Sequence, residues 1–277
     1  MTVGILSSFA YWSSAAEPLA VAAGKGFPIL IDSGGFTAWT SGKPIHLPTY
    51  VSALKKLTYE PWGYFVLDVI GDPKATYGNE VAMRAEGLAP IPIFTRTTPL
   101  SDLKGMLDRS QTVGVGGMVK SKNPVGFAKL ATSVAGKHRL HLLGRTGLPE
   151  IAHLQPRSVD CSSWSAGGRW NNIVVWLGNV TPKQVRPDAL RRREPLPLPV
   201  ERALTFYGID RAVFMPRRTR RQSEELQKLS LRSYIAYGTT VQARYGVQFF
   251  LAANSRQEIQ NIVASVEALQ RGEWSCP

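Results

Sequence analysis

Two short acidic stretches stand far apart in the chain, and each directly follows an apolar run typical of a buried strand. They are Asp-Ser-Gly-Gly-Phe at 32–36 and Ser-Val-Asp-Cys at 158–161. Paired carboxylates are what chemistry at a glycosidic bond needs, because one attacks the sugar carbon while the other manages protons. Glycines beside an aromatic ring add a surface that a flat heterocycle can approach closely. The pattern therefore favours an active site that acts on a nucleotide.

The first stretch has a structural reading as well as a catalytic one. In a plain turn, Asp32 would cap a backbone amide and the glycines after Ser33 would supply positive φ. Phe36 favours the catalytic reading, since a large ring directly after a flexible turn can stack on a base. In the second stretch, Asp160 is the predicted nucleophile, because an ionised carboxylate can trap C1′ of a nucleotide as a covalent ester.

A third carboxylate, Asp68, ends the apolar run 65–67. A carboxylate accepts two hydrogen bonds side by side, so it can grip the N1–H and exocyclic amine of a guanine-like base. Helix capping is the competing role, and it suits Asp72 better because Pro73 follows. We therefore predict that Asp68 reads the base edge.

Glycines follow two further apolar runs, in Gly116-Gly117-Met118 and Leu143-Gly144. The first is a weak match to a phosphate-binding loop, because the spacing and the Lys-Ser pair of such loops are missing. At a strand end, however, an unobstructed glycine amide can donate to a purine O6, and Leu143 offers an apolar surface over a flat ring. We predict that these five residues line the base pocket.

Two other reactive residue types are left out of the predicted chemistry. His141 lies within a predicted strand, where a lone histidine is more often packed and hydrogen bonded than catalytic. Cys161 follows Asp160 directly, so on an extended strand its side chain points the other way.

Apolar runs alternate with amphipathic segments along the chain and predict the elements that position these residues. The predicted strands are 3–6, 28–31, 64–70, 91–94, 112–118, 139–143, 158–161 and 247–252; the predicted helices are 50–57, 75–88, 124–134, 148–154, 222–237 and 255–270. About eight such repeats predict an α/β fold of the (β/α)8 TIM-barrel type, with a doubly wound open sheet as the alternative. In such a barrel, residues just after the strands meet at one mouth.

Residues 180–232 interrupt this rhythm with a proline-rich segment between two arginine clusters. We predict one barrel domain over 1–277 in which 180–232 is a basic insertion that contacts nucleic acid. A solvated surface run is the alternative interpretation. The predicted phosphate contacts are Arg191, Arg192, Arg193, Arg217, Arg218, Arg220 and Arg221.

Composition limits the class of protein. The 277 residues are 44% hydrophobic and 19% charged, which is enough to bury one large core. The net charge of +13 favours a polyanionic partner, although a surplus that merely aids solubility is the alternative. Two cysteines suit a reducing compartment, no run is long enough to span a membrane, and residues 1–24 lack the Lys or Arg of a signal peptide. We expect a cytoplasmic protein without a membrane partner.

The ordered motifs at 32–36, 67–68, 116–118, 143–144 and 158–164 resemble those of the tRNA-guanine transglycosylase family. They are most similar to its bacteriophage and bacterial branch, the DpdA-like enzymes that insert 7-deazaguanine bases into DNA. The resemblance covers residues 28–170. It implies a barrel that exchanges guanine for a free 7-deazaguanine base, such as preQ0, through a covalent intermediate and without a cofactor.

Carried over by position, the resemblance implies roles for individual residues. Asp160 would be the nucleophile, Asp32 the proton-handling carboxylate and Asp68 the reader of the base edge. The ring of Phe36 and the side chain of Leu143 would cover the two faces of the base. The residues implied in base binding are Ser33, Phe36, Asp68, Gly116, Gly117, Met118, Leu143 and Gly144.

One departure from the family bears on the substrate. The enzymes that act on tRNA carry a zinc site of three cysteines and a histidine after the nucleophile, and this chain has no cysteine between Cys161 and Cys276. We therefore expect no metal site or zinc subdomain, and DNA rather than folded tRNA as the substrate. Exchange in tRNA and a non-catalytic nucleic-acid-binding barrel are the alternatives, and the oligomeric state is left open.

Overall fold

The computed structural model describes residues 2–118, 122–165, 173–178, 181–185, 198–211 and 220–276. Strands and helices alternate along most of this length. In chain order they are β1 (Gly4–Ser8), α1 (Trp12–Gly24), β2 (Ile29–Asp32), α2 (Gly35–Ser41), α3 (Leu47–Lys55), β3 (Gly63–Tyr64), α4 (Pro73–Ala85), β4 (Ile93–Phe94), α5 (Leu100–Arg109), β5 (Val113–Val115), α6 (Pro124–Ala135), β6 (Leu140–Leu142), α7 (Leu148–Leu154), β7 (Ser158–Cys161), β8 (Ile173–Val175), β9 (Lys183–Val185), α8 (Leu198–Phe206), α9 (Arg220–Tyr245), β10 (Gln248–Ala252) and α10 (Arg256–Gln270).

Eight of these strands form one parallel sheet in the order β3-β2-β1-β10-β7-β6-β5-β4. The two outermost strands are joined by a parallel bridge between Phe65 and Ile91, where Ile91 N–H donates to Tyr64 O at 2.8 Å and Val66 N–H donates to Ile91 O at 3.0 Å. The strands follow one another around the ring in chain order, without the reversal of a doubly wound sheet. The predicted (β/α)8 barrel class is confirmed.

Large rings fill the barrel interior, and glycines on neighbouring strands make room for them. A Cβ at Gly4 would lie 2.4 Å from the ring of Phe250, and one at Gly114 would lie 2.8 Å from the ring of Phe65. Both rings are fully buried. This tight filling makes the interior a packed core, so a ligand has room only at the mouth.

Two predicted strands end three or more residues earlier in the structure. The strand predicted at 64–70 makes its last sheet hydrogen bond at Val66, and a turn follows in which Asp72 N–H donates to Val69 O at 2.9 Å. The strand predicted at 112–118 ends at Val115, and Gly117 then takes a φ of 70°. In both places the chain bends away at the mouth, so the predicted site residues there lie on loops.

The helix predicted at 222–237 continues to Tyr245 as α9. Gly238 and the two threonines after it are poor helix formers, which is why the sequence pattern ended there. In the structure Gly238 packs against the sheet so closely that a Cβ would lie 2.8 Å from both Phe249 and Val3. Tertiary packing therefore outweighs local propensity at this position.

Capping side chains fix the start of two helices. Asp72 accepts a hydrogen bond from Ala75 N–H at 2.9 Å and Pro73 opens α4, as predicted. Ser255 accepts from Glu258 N–H at 3.2 Å at the start of α10, whose buried residues include Ile259 and Ile262. Asp72 is thus a structural carboxylate, which separates it from Asp68.

Between β7 and β10 the chain adds β8, β9, α8 and α9. Strands β8 and β9 form an antiparallel pair apart from the barrel sheet. Within this addition the Tyr207 hydroxyl donates to Trp176 O at 2.8 Å, and the Tyr237 hydroxyl of α9 holds the addition to the barrel by donating to Thr146 O at 2.6 Å. In the parts of the chain described above, no helix is both long and apolar enough to cross a bilayer.

Candidate active site

A cavity of about 390 Å³ opens at the mouth of the barrel. Its wall comes mainly from residues that follow strands β2 to β6. The lining residues are Asp32, Phe36, Trp39, Asp68, Val69, Ile70, Gly71, Asp72, Pro73, Thr76, Ile93, Thr95, Arg96, Thr97, Thr98, Gly116, Gly117, Met118, Leu143 and Gly144. The position matches the end of the barrel where enzymes of this fold place their sites.

Asp32 is the last residue of β2 and lies on the cavity wall. Its Oδ2 accepts a hydrogen bond from Gly34 N–H at 3.1 Å, and Gly34 can make this turn because its φ is 84°. Burial raises the pKa of Asp32 to about 7, with further increases from the charges of Asp68 and Asp160; hydrogen bonds from Gly34 and Ser8 act in the opposite direction. A carboxyl group with a pKa near neutrality can both give and take a proton at physiological pH.

Asp68 lies on the loop after β3, and Ser33, the residue after Asp32, holds it in place. The Ser33 hydroxyl donates to Asp68 Oδ1 at 2.7 Å. A Cβ at Gly35 would lie 2.2 Å from the same oxygen, so a residue without a side chain is required there. Burial raises the pKa of Asp68, while the Ser33 hydrogen bond lowers it. The two glycines of the motif thus have separate tasks: Gly34 makes the turn and Gly35 makes room for Asp68.

Asp160 lies within β7, on the strand between β6 and β10. Its Oδ1 accepts two hydrogen bonds, from Gly144 N–H at 2.8 Å and from His141 Nε2 at 3.0 Å. Within the described chain, neither of these contacts uses Oδ2. The carboxylate is therefore held through one oxygen, which leaves the other for a reacting atom.

Apolar side chains form the faces of the cavity. Phe36 and Trp39 stand on α2 with their ring centroids 6.0 Å apart, and each is about half exposed. On the opposite strands, Gly116 lets Ile93 and Leu143 approach, since a Cβ there would lie 3.1 Å from the first and 3.5 Å from the second. A flat heterocycle fits such walls, because its faces meet apolar atoms and its edge meets carboxylates.

The structure brings most of the predicted site residues together, with two differences. The cavity wall includes Asp32, Phe36, Asp68, Gly116, Gly117, Met118, Leu143 and Gly144. Ser33 does not line the cavity: its side chain is fully buried and supports Asp68 from behind. Asp160 also lies outside the lining set, next to it through its hydrogen bond with Gly144. Ser33 therefore supports the pocket from behind its wall through Asp68.

Sequence reasoning missed other residues of the site. Trp39 lies on α2, a helix that the turn-like motif did not predict, and Thr95 and Arg96 follow the short strand β4. His141, which was left out, contacts the predicted nucleophile. No sequence signal points to this contact, because it depends on the register of β6 and β7, in which His141 pairs with Ser158, two residues before Asp160.

The structure does not describe the side chains of the predicted phosphate contacts. Arg191, Arg192, Arg193, Arg217 and Arg218 lie outside the described residues. Arg220 and Arg221 begin α9, but their side chains are not described. Across the described residues, no cluster of His, Cys, Asp and Glu has the arrangement of a metal site.

No protein-family model matches this chain, and no curated protein matches it either. The residues of the cavity are therefore the basis for any statement about function.

Proposed function

We propose that this chain is a guanine transglycosylase that exchanges guanine in DNA for a free 7-deazaguanine base of the preQ0 type. The observation that carries the proposal is the proximity of three carboxylates at one mouth of the barrel: Asp32 at the end of β2, Asp68 on the loop after β3 and Asp160 within β7, with the charges of the last two acting on Asp32. Further support comes from the ordered motifs described above and from the apolar walls beside these carboxylates.

The first half of the proposed reaction forms a covalent intermediate. Oδ2 of Asp160 attacks C1′ of a nucleotide turned out of the duplex, and the bond from C1′ to N9 of guanine breaks. The electron pair of that bond stays on the base, and protonated Asp32 supplies the proton. The pKa of Asp32, raised to about 7, supports this role because much of the group is protonated at neutral pH.

The second half reverses these steps with another base. The ionised Asp32 takes the N9 proton of the incoming deazaguanine, N9 bonds to C1′, and the ester bond to Asp160 breaks. Two inversions at C1′ give net retention. Throughout, Asp68 accepts hydrogen bonds from the edge of whichever base occupies the cavity, and Phe36 and Leu143 cover its faces.

Incorporation of labelled guanine into nucleic acid tests this proposal. Purified protein is incubated with labelled guanine and either DNA or tRNA, and the acid-precipitated label is counted. We expect label in DNA with the wild-type chain and none with Asp160→Ala. Label in tRNA alone would show that tRNA, and not DNA, is the substrate. Label in neither nucleic acid would refute the exchange activity and favour the non-catalytic nucleic-acid-binding barrel.

The role of the basic insertion makes a separate prediction. Replacing Arg217, Arg218, Arg220 and Arg221 with alanine should reduce the slope of log affinity for DNA against log salt by about one per lost phosphate contact. Affinity for the free base should stay unchanged, because these arginines are proposed to contact phosphates and not the base. A matched control replaces Arg256 and Arg271, which pair with Glu17 and Glu273. An unchanged salt slope in the first variant would remove its arginines from the interface.

A further inference from the structure

Directly below the candidate nucleophile, a histidine is enclosed in the barrel interior. His141 has no exposed surface, and its ring lies 5.2 Å from that of Phe65 and 6.3 Å from that of Phe250. Its two nitrogens are both used: Nδ1 lies 2.8 Å from Ser158 Oγ and Nε2 lies 3.0 Å from Asp160 Oδ1. Burying a polar ring is costly unless its nitrogens are hydrogen bonded, so the partners of His141 are part of what keeps it in the core.

The hydrogen bonds among Ser158, His141 and Asp160 determine which group donates to which. An ionised Asp160 can only accept, so His141 Nε2 carries the hydrogen. In a neutral imidazole Nδ1 is then the acceptor, and the Ser158 hydroxyl donates to it. Ser158 forms no other side-chain hydrogen bond within the described residues, so this arrangement gives the Ser158 hydroxyl and both nitrogens of His141 a partner.

This arrangement controls how the carboxylate is presented. His141 and Gly144 both donate to Oδ1, one from inside the barrel and one from the mouth loop. Two donors on one oxygen stop the carboxylate from rotating and keep Oδ2 as the oxygen that can attack. Because His141 and Ser158 pair on adjacent strands, the sheet register itself sets this geometry.

We infer that His141, held in one tautomer by Ser158, is a positioning residue that orients Asp160 for attack on C1′. The inference rests on the proposed function, because it assigns a role to Asp160. His141 acts through Asp160 and does not line the cavity itself. The structure thus extends the candidate site one layer into the barrel.

Three variants separate this role from simple packing. His141→Phe keeps a planar ring and removes the donor, His141→Gln keeps a side-chain N–H that can reach Asp160, and Ser158→Ala keeps the ring but frees its tautomer. The readout is the single-turnover rate of the covalent protein–DNA adduct, corrected for the folded fraction. Affinity for DNA and the melting temperature are measured alongside.

The expected result is a loss of rate without a loss of binding. The adduct rate of His141→Phe should fall about 10- to 100-fold, the range for a lost hydrogen bond to a charged group, with DNA affinity unchanged. His141→Gln should recover most of that rate, and Ser158→Ala should lose about fivefold. A packing role alone would lower the melting temperature of His141→Phe and leave its adduct rate at the wild-type value, which would overturn the inference.

Two further outcomes remain decisive. If His141→Phe does not fold, Ser158→Ala carries the test, and a wild-type rate in that variant would overturn the inference. If the wild-type chain itself forms no adduct with DNA or tRNA, the proposed function and the inference fail together. Adduct formation by the wild-type chain with equal rates in all variants would refute the inference only.

Discussion

The helix layer and the barrel mouth treat their buried carboxylates in opposite ways. In the helix layer, Glu80 is almost fully buried, and Arg109 donates to its two oxygens at 2.6 and 2.9 Å while Arg84 donates at 3.0 Å. Burial by itself raises the pKa of Glu80, but the hydrogen bonds and charges of the two arginines outweigh it and hold the pKa below its ordinary value. Glu80 therefore stays ionised, and the two arginines balance its charge.

At the mouth, no Lys or Arg within the described residues forms an ion pair with Asp32, Asp68 or Asp160. The pKa values of Asp32 and Asp68 are raised there, first by burial. The fold can therefore pair a buried acid where stability requires it, and at the mouth it does not. Unpaired, mutually repelling carboxylates beside a cavity are typical of sites that move protons.

Removing the paired acid is expected to have the largest effect on stability. Glu80→Gln should lower the free energy of unfolding by about 3 to 5 kcal/mol, because it leaves two arginines without their buried partner. Urea unfolding at pH 7 measures this loss. The control is Glu86→Gln, whose exposed pair with Lys55 should contribute less than about 1 kcal/mol. Equal effects of the two substitutions would show that the buried ion pairs of Glu80 stabilise the fold no more than an exposed pair does.

Replacing Asp32, which has no Lys or Arg partner in the part of the chain that the structure describes, should raise the free energy of unfolding, by an amount that depends on pH. Folding raises the pKa of Asp32 from 3.8 to about 7, so the native state holds a proton that the unfolded chain has lost between these values. Wild-type stability should therefore fall as pH rises from about 4 to 7. Asp32→Asn lacks this penalty.

The matching measurement is urea unfolding of Asp32→Asn and wild type across that range. The variant should gain roughly 4 kcal/mol over wild type at pH 8, because each unit of pKa shift corresponds to about 1.4 kcal/mol, and almost nothing at pH 4. A difference between the two proteins that does not change with pH would show that Asp32 titrates as an ordinary carboxyl group.

The smallest expected effect concerns the walls of the cavity. Phe36→Ala should weaken binding of the free base by about 1 to 2 kcal/mol, or roughly tenfold, because one stacking face is lost. Isothermal titration with guanine or preQ0 measures this change. Tyr77 is a matched control, since it is also about half exposed but lies outside the cavity wall. If Tyr77→Ala weakens binding as much as Phe36→Ala does, the base does not bind where we propose.

The barrel and the position of its mouth could be predicted from sequence because they depend on local patterns. All eight barrel strands carry apolar runs, and Asp32 and Asp160 lie at or within the predicted strands. Strand ends were less predictable: Val69 and Ile70 extend an apolar run but are partly exposed at the cavity, where the chain has already left the sheet. Apolar residues that line a cavity have the same sequence signature as those in a core.

The support behind the site could not be predicted, because it depends on contacts between distant segments. The hydrogen bond from Ser33 to Asp68 joins residues 35 apart in the sequence, and that from His141 to Asp160 depends on the register of two strands. A one-residue shift of β7 against β6 would turn Ser158 and Asp160 away from His141. Residue type alone identified the carboxylates, and only the packed barrel identifies what holds them.

Intact-protein mass spectrometry after incubation with guanine-containing DNA is the most direct test of Asp160 as the nucleophile. We predict a covalent adduct whose nucleotide maps, after digestion, to the peptide that contains Asp160. The adduct should be absent in Asp160→Asn, which keeps the shape of the side chain. An adduct that persists in Asp160→Asn, or that maps to another residue, would contradict the account.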